Sequence, residues 1–478
     1  MSRAYPNFPP MITRDTGVSL VEQIVRSITR KIDDKLLRTG ARMPSIRQFA
    51  DEQAVSRFTV VEAYDRLVAN GYLESRRGAG FFVCERASML AQQAPRTQVL
   101  PLSEQPDVVW LVRNMFRQLP QEKMPGSGVL PQDWLDGELV ANGLRAISRL
   151  NQNLLLHYGT PQGFLPLRQQ LQLKFAELEI AAAPEHIVMT SGVTQGLDLV
   201  AREFIQPGDT IFVDEPAWFL MFGSFAILGA KVIGIPRLHD GPDVVKLAEL
   251  AAAHKPKLYI INSVVHNPTS TSLSAAKAFQ VLRAAEEHDF MVVEDDVYCD
   301  LQSGAAVQTG TRVATLDQLQ RVIYLGSFSK TLAANLRVGF IACSQALALR
   351  LSDRKMLSTL TTTEIGERVV YKILSEGHYR KHVDRIRVKL DSVRDGVIKR
   401  VEALGMQVDY RTTAGMFLWT ETGLDTLKLA ERALEQGLVI APGSLFSPHQ
   451  HASTKMRINI AAMTDPAVWS FLQKELGQ

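Results

Sequence analysis

Lys330 stands at the end of an apolar run, YLGSFSK, with Ser327 and Ser329 just before it and Arg337 seven residues after. A lysine amine attacks a carbonyl carbon only when it is unprotonated and held in place, so a Schiff-base lysine needs the kind of position that a strand end supplies. Two hydroxyls and a guanidinium beside it suit a phosphate. A second stretch, VMTSGVTQGLDLVAREF (188–204), reads strand, glycine, helix. That arrangement sets Gly192 and the amides of Val193 and Thr194, together with the helix dipole, against an anion. VVEDDVYCD ends a strand on Asp295, a carboxylate that can keep a ring nitrogen protonated. Tyr298, three residues on, is placed to reach a ring hydroxyl, and Asn267 of HNPTS is a second donor to it, its turn set by Pro268. Trp218 of DEPAWF can lie flat on a ring, and Arg457 of KMRINIA can clamp a substrate carboxylate through two parallel bonds. A lone lysine after a strand is usually a surface charge. The companion motifs turn it into a pocket for a phosphorylated ring, with Lys330 and Asp295 as its catalytic pair. His266 reads as a structural neighbour of Asn267, and Met356 and the Thr361–Thr363 run as parts of a helix and a loop.

The N-terminal fifth has a different character. Ile24, Ile28, Ile32 and Leu36 recur at helical spacing, which predicts a first amphipathic helix over 18–38, ended by Gly40. Ser45-Ile-Arg-Gln48 has the form of a capping box opening a second helix. Ser56 can cap a third, with Val60, Tyr64, Leu67 and Val68 turned inward and Gly71 as its stop. YLES and FFVC then flank Arg76-Arg77-Gly78-Ala79-Gly80, a hairpin with a basic, glycine-rich tip. Three helices and a basic hairpin make a winged helix-turn-helix, in which the start of the recognition helix enters the DNA major groove. Ser56, Arg57 and Thr59 occupy that start. Arg57 suits a guanine, and Arg47, Arg77 and the Gly78 tip suit phosphates.

The organisation of the chain fits both readings. Its 478 residues allow about three domains or subdomains. With 46% hydrophobic and 22% charged residues it has an ordinary globular composition. The net charge is only +3, but residues 1–90 hold 14 Lys/Arg against 10 Asp/Glu, so the positive excess lies where phosphates would be met. Cys84, Cys299 and Cys343 are far apart and lack metal-ligand spacing, which excludes a disulfide framework, gives no metal site and fits a reduced compartment. MSRAYPNFPPMITRD has no continuous apolar signal core. The uncharged, apolar run Pro216–Ala230 is too short for a membrane helix and is expected to be a buried helix. A cytoplasmic protein is expected. Residues 12–84 are read as the DNA-binding domain, 85–107 as a linker with three prolines, and 108–478 as a large domain whose small subdomain is about 370–478. Within the large domain HIVMT, TIFVD, KLYIINS, FMVVEDD and RVIYLGS alternate with helical patterns, which predicts an α/β fold with a mainly parallel central sheet.

GARMPSIRQFADEQAVSRFTVVEAYDRLVANGYLESRRGAGFFV resembles the GntR family of bacterial regulators through its PSxR entry, VSRxTV turn and GxGxxV wing. From about residue 110 onward the order of motifs resembles the fold-type I, aspartate-aminotransferase-like enzymes that use pyridoxal 5'-phosphate (PLP). That resemblance implies that Lys330 carries the cofactor. YGTPQGFLPLR (158–168) looks like the same family's YGxxxGxxxLR, which implies that Tyr158 reaches the phosphate in the partner subunit. Two positions depart from the family pattern: Ser270 stands where glycine usually follows NPT, and Trp218 where tyrosine or phenylalanine usually stacks. The pairing of the two modules resembles the MocR subfamily. It implies a homodimeric, PLP-dependent regulator that binds operator DNA, probed by a vitamin B6 form or a small amine. A working aminotransferase with an accessory N-terminal domain is the alternative.

Overall fold

The computed structural model describes residues 17–84, 113, 119–149, 156–302 and 310–477. The chain forms two compact units, Met1–Leu102 and Ser103–Gln478. The expected linker at 85–107 lies outside the described residues, as do the first residues of the chain.

The N-terminal unit is built from α1 (Leu20–Asp33), α2 (Ile46–Gln53), α3 (Arg57–Ala69) and the antiparallel hairpin β1 (Leu73–Arg76) and β2 (Gly80–Val83). Each helix starts on a serine whose hydroxyl accepts an otherwise unpaired amide: Ser19 from Glu22, Ser45 from Gln48 and Ser56 from Thr59. Tyr64 packs edge-on against Phe49 and Phe81 and donates to the Pro44 carbonyl, which locks helices and wing around one core. Two expectations are corrected. The first helix ends at Asp33, because Lys35 turns into the left-handed region five residues before Gly40. The capping box is only half formed, because the Gln48 side chain turns forward to Glu52 instead of back to the Ser45 amide.

The second unit holds an eight-stranded sheet in the order β3-β10-β9-β8-β7-β4-β5-β6. These strands are β3 (Ile187–Thr190), β4 (Thr210–Glu215), β5 (Lys231–Leu238), β6 (Gly241–Pro242), β7 (Leu258–Ile261), β8 (Met291–Asp295), β9 (Val322–Ser327) and β10 (Gly339–Ala342). From β9 to β5 all neighbours are parallel, while β10 runs antiparallel between β3 and β9. Successive residues of β9 feed opposite faces: Val322 and Tyr324 enter one apolar core, Ile323 and Leu325 the other. Burial on both faces is why these strands read as unbroken apolar runs. A smaller antiparallel sheet, β11 (Gln407–Val408), β12 (Phe417–Glu421), β13 (Ala441–Pro442) and β14 (Lys455–Asn459), is ordered β11-β12-β14-β13. Helices α6 (His378–Ala403), α7 (Thr426–Glu435) and α8 (Pro466–Glu475) share its core.

Two more helices of this unit bear on the site. Helix α4 (Val193–Phe204) follows β3, and α5 (Leu220–Ile227) follows β4. The run Pro216–Ala230 is therefore not one buried helix. Its first residues form a loop, α5 has only eight residues, and Ile227 is 84% exposed. Among the described residues no helix is long and apolar enough to cross a membrane, and no group of side chains could hold a metal ion.

Candidate cofactor site and DNA-reading helix

The parallel strands end on a common edge, and the cleft lies just beyond it, where doubly wound sheets bind ligands. Val193, Thr194, Trp218, Asn267, Asp295, Tyr298, Ser327, Ser329, Lys330 and Arg337 all line this one cleft. Residues separated by more than 140 positions in sequence are thus brought together in one cleft.

The end of the cleft beside α4 is made for an anion. Helix α4 has Gly192 as its N-terminal flanking residue and no side chain caps it, so its first amides face the cleft. Gly192 adopts φ +79°, and a β-carbon there would come within 2.6 Å of Arg337 Nη2. Arg337 is itself held by a bond from Nη2 to the Ser191 carbonyl at 2.7 Å. Ser327 Oγ accepts from the Ser329 amide (3.1 Å) and donates to the Val338 carbonyl (3.0 Å). The Ser329 hydroxyl lies 3.0 Å from Ser327 Oγ and also lines the cleft.

Lys330 sits in the turn after β9, its Nζ 5.7 Å from the centre of the Tyr298 ring. Burial lowers its amine to about 8, helped by the cations of Arg457 and Arg337 and opposed by Asp295. At the end of β8, burial pushes the Asp295 carboxyl up to about 7, and Asp296 adds to the rise, while the Val297 amide and Lys330 act the other way. Asp295 forms no ion pair among the described residues, so a protonated ring nitrogen would be its natural partner. Arg457 on β14 is fully buried. It donates from Nη1 to Asn267 Oδ1 at 2.7 Å and from Nη2 to the Gly126 carbonyl at 2.5 Å, and it lies over the Phe417 ring. That bond engages the Asn267 oxygen and leaves its amide nitrogen free to donate into the cleft. The groups that line the cleft therefore fit the phosphate, ring nitrogen and aldehyde of a phosphorylated pyridine aldehyde, whereas Arg457 is not among them. Tyr158 is 81% exposed and does not line the cleft of its own chain.

Two residues at the cleft escaped the sequence reading. Asn262, just past β7, donates from Nδ2 to the Asp295 carbonyl and accepts the Asn267 amide at 2.7 Å, so one side chain sets both neighbours. Asp214 at the end of β4 is buried with Arg237 (2.6 Å) and Tyr259 (2.6 Å) and supports the floor. Both lie at the end of an apolar strand run, the same signal that singled out Asp295. His266 also lines the cleft. Its Nδ1 is 2.8 Å from Thr269 Oγ1 while Nε2 has no hydrogen-bond partner, so it is only half satisfied, and burial holds it neutral. Ser270 takes φ +56°, the region that favours glycine, which explains the family's usual residue there. Here its hydroxyl donates to the Phe417 carbonyl (2.9 Å) and accepts the Phe417 amide (3.2 Å), offsetting that strain and tying the loop to β12.

In the N-terminal unit Arg47, Ser56, Arg57, Arg77 and Gly78 are exposed. The Thr59 hydroxyl is 2.7 Å from Ser56 Oγ, so both hydroxyls serve the helix start first. Arg76 belongs to β1, not to the tip, where it pairs with Glu74 and lies over the Phe82 ring.

Comparison with known proteins agrees with this geometry. Residues 126–474 match the aminotransferase class I and II family, and residues 20–83 match the bacterial regulatory proteins of the gntR family. The uncharacterized HTH-type transcriptional regulator YdfD of Bacillus subtilis (strain 168) is 27% identical over 93% of both chains. The probable rhizopine catabolism regulatory protein MocR of Rhizobium meliloti is 26% identical over 79% of this chain and 76% of its own. The kynurenine aminotransferase of Pyrococcus horikoshii superposes with a TM-score of 0.71 at 26% identity, covering 81% of this chain and 98% of that one. The chain belongs to the aminotransferase class I and II family and carries a gntR-family DNA-binding module ahead of it, the composition of a MocR-type transcriptional regulator.

Proposed function

We propose that this regulator holds PLP in the cleft and uses the occupancy and chemical state of that site to set its affinity for operator DNA. The observation that carries the reading is the convergence of an uncapped helix start, two serines, a lysine with a lowered pKa and an unpaired buried carboxylate in one cleft. PLP supplies an aldehyde for amine exchange and a ring that draws electrons from the bonds of a bound amine. Around it this chain's own residues have separate tasks. The first amides of α4, Ser327, Ser329 and Arg337 hold the phosphate. Asp295 keeps a proton on the ring nitrogen, Asn267 and Tyr298 donate to the ring hydroxyl, and Trp218 covers one face. Lys330 Nζ is the covalent anchor and the site of proton transfer, and Arg457 receives a carboxylate of the incoming amine. Tyr158 serves the phosphate of a partner subunit in a homodimer. DNA is met by Arg57, with Ser56 and Thr59 at the start of α3, and by Arg47, Arg77 and Gly78. We take 12–84 as the DNA-binding domain, 85–107 as linker and 108–478 as the sensing domain, with a small subdomain from about 370.

The test is to measure binding of the apoprotein, the PLP-loaded protein and the amine-treated loaded protein to the DNA upstream of its own gene. Affinity that differs among the three supports the proposal; equal affinity overturns the sensing role. The presence of Arg457 beside a complete Lys330–Asp295 pair favours a second reading, turnover as an aminotransferase. Pyridoxamine phosphate accumulating at catalytic rates with an amino donor would establish it.

Two variants probe the cleft directly. Gly192→Ala should weaken PLP binding by about tenfold or more, since the added carbon strains a positive φ and pushes on Arg337; strain of this kind costs on the order of 1–3 kcal/mol. Equilibrium titration of the apoprotein reads it. Asp295→Asn should leave PLP bound but slow its reaction with amines by about one to two orders of magnitude, because a neutral amide cannot hold the ring nitrogen protonated. Stopped-flow spectra with a series of amino acids measure that rate.

A further inference from the structure

We infer that Phe58 reads a thymine methyl group in the major groove. The inference rests on the reading of α3 as the DNA-recognition helix and names one base that it selects. Phe58 is the second residue of α3 and is 77% exposed. Phe58 lies opposite the buried Val60, Ala63, Tyr64 and Leu67, and Val61, one turn on at the flank of that face, is 37% exposed. The core of this unit is complete without either, and the Ser56 and Thr59 hydroxyls beside them are engaged in capping. Beside the Ser56 and Thr59 hydroxyls, which are already bonded to each other, the start of α3 offers the groove one guanidinium, Arg57, and one apolar strip. Asp65, exposed a turn further along, would be repelled by phosphates, which confines base contact to the first two turns. Phosphates and most base edges are polar. The thymine C5-methyl is the apolar group displayed on the major-groove edges, and an aromatic ring is a known partner for it.

The test uses the full-length PLP-loaded protein and a random-sequence duplex library. Selection with the wild type should return a site with a fixed thymine near a fixed guanine. Selection with Phe58→Ala should keep the guanine and lose that thymine. Replacing this thymine by uracil removes only the methyl and should weaken wild-type binding about fourfold, the value of one buried methyl, while leaving Phe58→Ala unchanged. Phe58→Leu should restore part of the preference. Melting of Phe58→Ala should match the wild type, because the ring packs against little. An unchanged consensus for Phe58→Ala, or a wild type indifferent to uracil, overturns the assignment. Failure of the wild type to select any sequence is a separate result, which removes the recognition-helix reading and this inference with it.

Discussion

Lys330→Ala is expected to abolish covalent capture of PLP and the visible absorption band that goes with it. The reason is specific to this amine. Burial and the nearby Arg457 and Arg337 cations lower it to about 8. At pH 7.5 about a quarter of such an amine is unprotonated, against about a thousandth for an ordinary lysine. The rate of capture by the apoprotein should accordingly rise with pH and level off above about 8. Borohydride reduction followed by peptide mapping should find the pyridoxyl group on Lys330. The chain contains a stringent internal control. Lys355 is also buried, and its amine is also lowered to about 8, chiefly by burial. Its Nζ is bonded to the Met189 carbonyl at 2.8 Å and does not line the cleft. A nucleophilic amine without a phosphate cradle should not be labelled. Recovery of the pyridoxyl group on Lys355, or a visible band that persists in Lys330→Ala, would refute the site.

On the DNA side the largest loss is expected from Arg57→Ala. A bidentate contact to guanine carries about 1–3 kcal/mol of discrimination, so the ratio of specific to scrambled binding should fall by roughly 5- to 150-fold. Arg77 stands at the exposed wing tip. Losing its phosphate contact should weaken all sequences alike and lower the salt slope by about one unit. Both variants should be compared with the wild type on the DNA upstream of its own gene and on a scrambled duplex, across a salt series. If neither substitution alters binding while the cleft still takes PLP, the accessory-domain enzyme becomes the better account.

The strand runs, the serine caps and the residues of the cleft were legible in the sequence because each leaves a local mark. A strand buried on both faces must be apolar throughout, and a helix start needs a short side-chain acceptor. Asp295 and Lys330 stood out because charge at the end of such a run is conspicuous. The reach of a helix was less legible. Apolar spacing through Leu36 continued the pattern of α1, yet the backbone leaves the helix at Asp33 and Leu36 is exposed. An uncharged composition likewise suggested one buried helix at Pro216–Ala230, because composition does not state which face meets solvent.

The sequence by itself determined the two modules, the doubly buried strands and the identity of most polar groups that line the cleft. Only the tertiary structure decided how those groups are tuned and supported. The lowered amine of Lys330 and the raised carboxyl of Asp295 come from burial among groups distant in sequence. Asn262 became important because parallel pairing of β7 with β8 sets it beside Asp295, and Ser270 because its hydroxyl meets β12 across 147 positions. Desolvation and hydrogen-bond geometry depend on what surrounds a group in space, whereas periodicity and capping depend only on its neighbours along the chain.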